Sequence, residues 1–275
     1  MAKRAFPTGS NPWNQSGMTQ RAIAIYDREM VLPFPRSFAL LSALTALLVA
    51  PPARAADPAA VTLYYYDRPP YYVIGADDTV SGLAIVPTRA AFERAGIPYV
   101  LERSSVQRIF EMMRNERGLF CSPGWYRTEE RTQFAKFTRP ILHDKPTIGI
   151  ARKGFAVPPG TRFADLAASN MTLLLSTEGF SYGPYIDQII ARREQSQTIH
   201  LTSGGRRLMD MLIAGRADLA LTTEEEAVTL LAAGGPDYPI IHFPDIQTGD
   251  ARYIMCSRGM SDETIARLDR AIEAP

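Results

Sequence analysis

The sequence predicts an α/β protein of two lobes, joined by two hinge crossings with a cleft between them. Three observations carry this expectation. Strand and helix patterns alternate from Val61 to Cys121 and alternate again from Met171 to Phe243. Between the two blocks run extended apolar stretches, FTRPIL (137–142) and TIGIA (147–151). A late strand-like segment, ARYIMC (251–256), follows the second block, as expected of a chain returning to its first lobe. The boundaries read as residues 56–150 with 254–275 for lobe 1, and 151–253 for lobe 2. Ligands of such sheets bind beyond the carboxyl ends of the strands, so the interlobe cleft is the expected site.

In the first block, VTLYYY (61–66) is β-branched and aromatic and reads as a strand, with Tyr66 the tyrosine placed to reach the cleft. Asp67-Arg68-Pro69-Pro70 ends it, and Tyr71 to Ile74 followed by Gly75-Ala76-Asp77-Asp78 predicts a short hairpin. Gly82 opens a helix with Leu83, Val86, Ala90 and Ala91 on its expected buried face and Gly96 as its stop. Pro87 falls near the first turn, where a missing N–H costs least. A strand over 97–102 follows, then a helix capped by Ser104 or Ser105 with Val106, Ile109, Phe110 and Met113 on one face. Gly118 to Cys121 is the third strand. Pro123-Gly124 then reads as a turn that puts Trp125 in an exposed loop within reach of the cleft. Thr128 can cap a short helix whose first turn holds Glu129 and Glu130, the charges a helix N-terminus favours. That cap aims Arg131, a rigid and permanently charged fork suited to a carboxylate or phosphate. The plainer alternative is a surface pair between Arg131 and one of those glutamates.

A strand is expected at 147–151 between the blocks; in the second block, strands are expected at 171–175, 198–201, 218–221 and 239–243, with helices at 182–194, 206–214 and 224–233. Glu224-Glu225-Glu226 opens the last of these, where acidic side chains favour the dipole. After the strand at 251–256, Ser261 caps a final helix with Ile265, Leu268 and Ile272 on one face.

Ser37 to Ala50 is a 14-residue stretch without a charge, preceded by Arg36 and followed by Pro51-Pro52 and Ala53-Arg54-Ala55. A basic residue, a short apolar core and a small-x-small site predict a secretory signal peptide over 30–55, cleaved after Ala55. A membrane span needs about 20 apolar residues, so an anchor fits less well. Met30 would start a signal of normal length, so residues 1–29 read as a start placed too early, and their polar Phe6 to Gly17 stretch predicts no packed structure. The first 55 residues hold six Lys/Arg and two Asp/Glu; without them 30 basic and 29 acidic residues become 24 and 27, a formal charge of −3. That balance, with no basic run, argues against nucleic acid as a partner. Cys121 and Cys256 are the two cysteines, and in an oxidising compartment either a bridge or two buried thiols is open. His143, His200 and His242 stand alone, so no metal or cofactor is expected.

Several motifs, in this order and spacing, resemble extracellular solute-binding protein family 3, the polar amino acid type that serves ABC transporters. Arg68-Pro69-Pro70-Tyr71 resembles the family's YPPF, and Thr128-Glu129-Glu130-Arg131 with Phe137-Thr138-Arg139-Pro140 resembles its T-x-x-R…F-S-x-P-Y signature. GFSYGPYID (179–187) and AGRADLALTT (214–223) resemble its second-lobe turn and its helix-to-strand repeat. The resemblance implies a type II periplasmic-binding fold, a small-molecule solute, a membrane permease as partner, a periplasmic location and a monomer. It also implies Arg131 as carboxylate clamp, Tyr71 as an aromatic wall, Gly124 and Tyr126 lining the first lobe, and Gly179 and Ser181 offering donors at a helix N-terminus. Two positions depart from the family pattern. Gly124 and Tyr126 stand where hydroxyl side chains are usual. Thr223 stands where an acid holds an α-ammonium group, with Glu224 one residue off register. A carboxylate-bearing or aromatic small molecule fits what is left. The same fold also hosts dehydratases and lytic transglycosylases, for which Glu178, Glu224 and His143 would be the acid–base candidates, and a sensor domain is a further alternative. Family members continue with more helix beyond the position of Pro275, so a longer C-terminus is expected.

Overall fold

Alternating burial along β1 (Val61–Tyr65) sends Val61 and Leu63 into the core, where they meet Phe92, Cys121, Ile254 and Leu268. The computed structural model describes residues 59–115, 117–177, 179–201, 205–234 and 237–273. The predicted signal peptide, residues 1–29 and Glu178 lie outside the described residues. Among the described residues, no helix is long and apolar enough to cross a membrane.

After β1 come a hairpin of β2 (Val73–Ile74) and β3 (Val80–Ser81), α1 (Ile85–Arg94), β4 (Tyr99–Arg103), α2 (Val106–Asn115), β5 (Phe120–Tyr126), α3 (Glu129–Thr132) and β6 (Ala135–His143). The chain then crosses to β7 (Thr147–Ala151), α4 (Phe163–Ala167), β8 (Leu173–Thr177), α5 (Pro184–Ile190), β9 (Thr198–Leu201), α6 (Arg206–Ile213), β10 (Leu219–Thr223), α7 (Glu224–Gly234) and β11 (Ile240–Ile241). It returns through β12 (Ala251–Ser257) and ends in α8 (Asp262–Glu273). The strands form two five-stranded sheets, β4-β1-β5-β12-β6 and β11-β7-β10-β8-β9. In each, the strands of the β-α-β units pair in parallel (β1 with β4 and β5; β8 with β9 and β10), and the crossing strands pair antiparallel. Two sheets, each with its own helices and core, make the two lobes.

The sheets move both expected lobe boundaries. Thr147–Ala151 pairs with β10 and β11, so it belongs to the second lobe, not the first. Ala251 to Tyr253 pairs with β5 and β6, so the return into the first lobe is complete before 254. The crossings are therefore the segments 144–146 and 242–250.

Two local expectations also change. The α1 core face is Ile85, Thr88, Ala91 and Phe92, whereas Leu83 and Val86 are 44% and 57% exposed. Thr88 can be buried because its hydroxyl donates to the Ala84 carbonyl at 2.7 Å, a bond invisible to a polar/apolar count. Pro123-Gly124 is not a turn: β5 continues through it, with an irregularity in its register against β12. Gly124 holds φ +80°, and a Cβ there would meet the Tyr72 hydroxyl at 2.8 Å and the Ala84 Cβ at 3.1 Å. Trp125 is consequently a core residue, 3% exposed, rather than a loop residue. Strand β6 continues past Pro140, which the sheet tolerates because β6 is an edge strand.

Cys121 and Cys256 face each other across β5 and β12 and form a disulfide, closing a sequence separation of 135 residues that includes the whole second lobe. Both are fully buried. In the chain-entropy model a loop of this length stabilises by about 4–5 kcal/mol. Exported protein, denatured without reductant, should therefore show no titratable thiol, and Cys121→Ala should lower the urea midpoint of the non-reduced protein markedly. Two free thiols per chain would contradict the bridge.

Candidate functional site

Sheet topology brings the carboxyl ends of β1, β5, β8 and β10 to the same region, and each is followed by a residue with chemistry. β1 leads to Tyr66 and Arg68, β5 to Thr128 and Arg131, β8 to Gly179, Phe180 and Ser181, and β10 to Glu226 in the first turn of α7.

The crossings themselves are organised by Asp144. Its carboxylate pairs with Arg252, whose Nε lies 2.8 Å from both oxygens, and the side chains are 0% and 4% exposed. The hydroxyls of Tyr71 (2.9 Å) and Tyr126 donate to the same carboxylate. Arg252 also donates to the Gly124 carbonyl at 2.7 Å and stacks over Tyr71 and Tyr126, 4.1 and 4.4 Å from the ring centroids. Burial of Arg252 opposes its charge, but the surrounding tyrosines and Asp144 outweigh it and raise its pKa further. The Tyr71 hydroxyl lies 3.0 Å from Thr223 Oγ1, which reaches the second lobe. The two crossings touch through the Asp144 N–H and the Asp250 carbonyl at 3.1 Å. At Gly249 they run so close that a Cβ would strike the Asp144 carbonyl.

A second ion pair spans the lobes. Arg68 donates Nε to Glu226 Oε1 at 2.6 Å and Nη2 to Oε2 at 2.9 Å, with side-chain exposures of 13% and 16%. Its guanidinium lies over Tyr71 and Phe180, 4.9 and 4.5 Å from their centroids. Burial pushes the Glu226 carboxyl up, but the charge and hydrogen bonds of Arg68 prevail and hold it below the ordinary carboxylate range. This pair is therefore ionised at neutral pH.

Arg131 is placed as the short helix predicts. Thr128 caps α3 and accepts from the Arg131 N–H at 3.3 Å. The residue is 4% exposed, and its guanidinium packs over Phe110 and Trp125, 5.3 Å from each ring centroid. Its partners are neutral: the Tyr126 carbonyl at 2.7 Å and, across the lobes, the Gly179 carbonyl at 2.8 Å. Among the described residues no carboxylate pairs with it, and burial lowers its pKa to about 10. The nearby glutamate that could have paired with it, Glu130, bonds Arg114 at 2.8 Å instead.

Phe180 separates two spaces. Behind it is a chamber of only about 20 Å³, bounded by Arg68, Tyr126, Thr223, Glu226 and Arg252. In front is an open groove of about 680 Å³ with Arg131, Phe110, Gly179 and Ser181 in its walls, together with Arg114 and the carboxylates of Glu111, Glu129, Glu130 and Asp187. Ser181 donates its hydroxyl to Asp187, which also accepts from the Tyr182 N–H at 2.8 Å, so these groups fold the loop. Burial raises the Asp187 carboxyl despite those bonds and the charge of Arg131. Among the described residues, no group of three or more His, Cys, Asp or Glu could hold a metal.

No family model matches the chain, and no curated protein matches its sequence. Solved structures do match. The substrate-binding protein of an amino acid ABC transporter superposes with a TM-score of 0.60 at 16% identity, covering 78% of this chain and 91% of that one. The arginine-, lysine-, histidine-binding protein ArtJ from the thermophilic bacterium Geobacillus stearothermophilus gives 0.62 at 16%, covering 78% and 88%. A histidine kinase sensor domain with similarity to periplasmic binding proteins gives 0.61 at 18%, covering 78% and 88%. The fold is that of a two-lobed periplasmic binding protein.

Within this binding-protein fold, the residues expected from sequence fall in three places. Arg131, Gly179 and Ser181 border the open groove, with Ser181 also bordering the inner chamber beside Tyr126 and Thr223. Tyr66, Tyr71, Gly124 and Trp125 border neither of these spaces and sit in the packed aromatic wall behind them, where Tyr66 contacts Tyr72, Trp125 and Phe180. Glu224 points away, 3.1 Å from Lys145. Sequence reasoning did not single out Arg68, Glu226, Asp144, Arg252 or Phe180. The only signal for Glu226 was its place in an acidic first turn, three residues past Thr223.

The Asp144–Arg252 pair is buried on both sides, so Asp144→Ala leaves a guanidinium without a counter-charge. It should destabilise the protein by about 3–5 kcal/mol in urea unfolding, far more than loss of an exposed pair such as Lys145–Glu224. Equal effects of Asp144→Ala and Glu224→Ala would contradict this assignment.

Proposed function

We propose that the chain is an exported, monomeric solute-binding protein that holds a small carboxylate-bearing solute in the groove in front of Phe180 and delivers it to the permease of an ABC importer. One observation carries this reading: Arg131 is 4% exposed at the wall of a groove of about 680 Å³, yet its described partners are uncharged carbonyls. A buried cation partnered in this way gains most from an anion that brings its own charge and two oxygens. The groove volume is in the usual range for small-molecule sites. Export rests on the apolar core at 37–50 and the Ala53-Arg54-Ala55 site. Delivery rests on likeness to transporter binding proteins in fold.

Binding is favoured over catalysis because the described acid–base candidates are not gathered at the groove. His143 is exposed at the end of β6, and Glu224 is paired with Lys145. A sensor role is the second reading, supported by the histidine kinase sensor domain among the fold's neighbours.

The test is calorimetric titration of the mature protein with a panel of small carboxylates. Arg131→Ala should weaken the bound carboxylate by about 2–5 kcal/mol, roughly 30- to several-thousand-fold, with the unfolding transition retained. Unchanged affinity in a folded Arg131→Ala variant would overturn the clamp.

A further inference from the structure

The chamber behind Phe180 contains a complete site for a cation, and the chain fills it with one of its own side chains. The Arg68 guanidinium lies against two aromatic rings and meets both oxygens of Glu226. Those are the elements that would recognise a ligand's cationic group: π faces and a carboxylate. Glu226 is also close in sequence to Thr223, the position at which the resemblance expects an α-ammonium partner. It lies one helical turn further on, and its backbone N–H bonds the Thr223 hydroxyl at 3.3 Å.

An incoming ammonium group would find this acid taken. Reaching it means breaking a bidentate pair and leaving Arg68 buried without a counter-charge, in a chamber whose free volume of about 20 Å³ is near that of one water. Two further acids near the cleft are also engaged. Asp144 is held by Arg252, Tyr71 and Tyr126, while both oxygens of Asp187 accept from Ser181 and Tyr182.

We propose that Arg68 is the built-in occupant of the cation subsite, so that the protein selects carboxylates lacking an α-ammonium group, such as plain, 2-hydroxy or 2-oxo acids, over α-amino acids. Arg68 is thus a specificity-determining residue. The inference rests on the reading of Arg131 as the carboxylate clamp, and the experiment separates the two.

Wild-type protein is titrated with matched pairs: glutarate against L-glutamate, 3-phenylpropanoate against L-phenylalanine, butanoate against L-2-aminobutanoate, and the 2-hydroxy and 2-oxo counterparts. In each pair that binds, the deaminated acid should bind at least about tenfold tighter, because an ammonium taken from water finds Glu226 already paired with Arg68. Arg68→Ala, which vacates Glu226, should abolish or reverse that preference. If this variant does not fold, Arg68→Gln supplies the uncharged alternative. An amino acid that binds wild type as tightly as its deaminated partner overturns the proposal while leaving the Arg131 reading intact. A preference unchanged in a folded Arg68 variant overturns the role of Arg68. Failure of every carboxylate to bind sinks the clamp reading and this inference with it.

Discussion

Asp144 and Arg252 meet where the chain passes between lobes, and the placement of the cleft residues depends on that contact. The pair is nearly inaccessible to water, and burying two charges is tolerable only when every donor and acceptor is satisfied. Satisfaction here draws in Tyr71, Tyr126 and the Gly124 carbonyl, which fixes β5 against β12 and holds Tyr71 within reach of Thr223 in the second lobe. Those two strands are also joined by the Cys121–Cys256 bridge, so the first-lobe sheet is braced covalently and electrostatically beside its crossings.

On that frame, three buried guanidinium groups face the interlobe region with different charge balances. Arg252 is neutralised by Asp144 and Arg68 by Glu226. Arg131 has carbonyl partners among the described residues. The imbalance distinguishes the groove from the chamber. The chamber is electrically complete and nearly filled, whereas the groove holds a buried guanidinium whose direct hydrogen-bond partners are carbonyls, with the carboxylates of its wall further off.

Much of the architecture was legible in the sequence because it depends on periodicity: two alternating blocks, a returning strand, and Thr128 positioned to cap the turn that carries Arg131. What was missed depends on contacts between residues far apart in the chain. Pro123-Gly124 reads as a turn by composition, but Tyr72 and Ala84 press against Gly124 and the strand continues through it. Arg68 reads as part of a strand-ending Pro-Pro motif, and Glu226 as a helix-dipole residue. Their pairing spans 158 residues and follows from the two lobes meeting, which no local pattern encodes. The same holds for Asp144 with Arg252, 108 residues apart.

The central claim is that the solute is read by Arg131 in front of Phe180 while Arg68 stays on Glu226 behind it. A crystal structure of the protein with a bound carboxylate tests this most directly. The account predicts carboxylate oxygens within hydrogen-bond distance of the Arg131 guanidinium and an intact Arg68–Glu226 pair. A solute seated on Glu226 with Arg68 displaced, or one that leaves Arg131 on its two carbonyls alone, would contradict it.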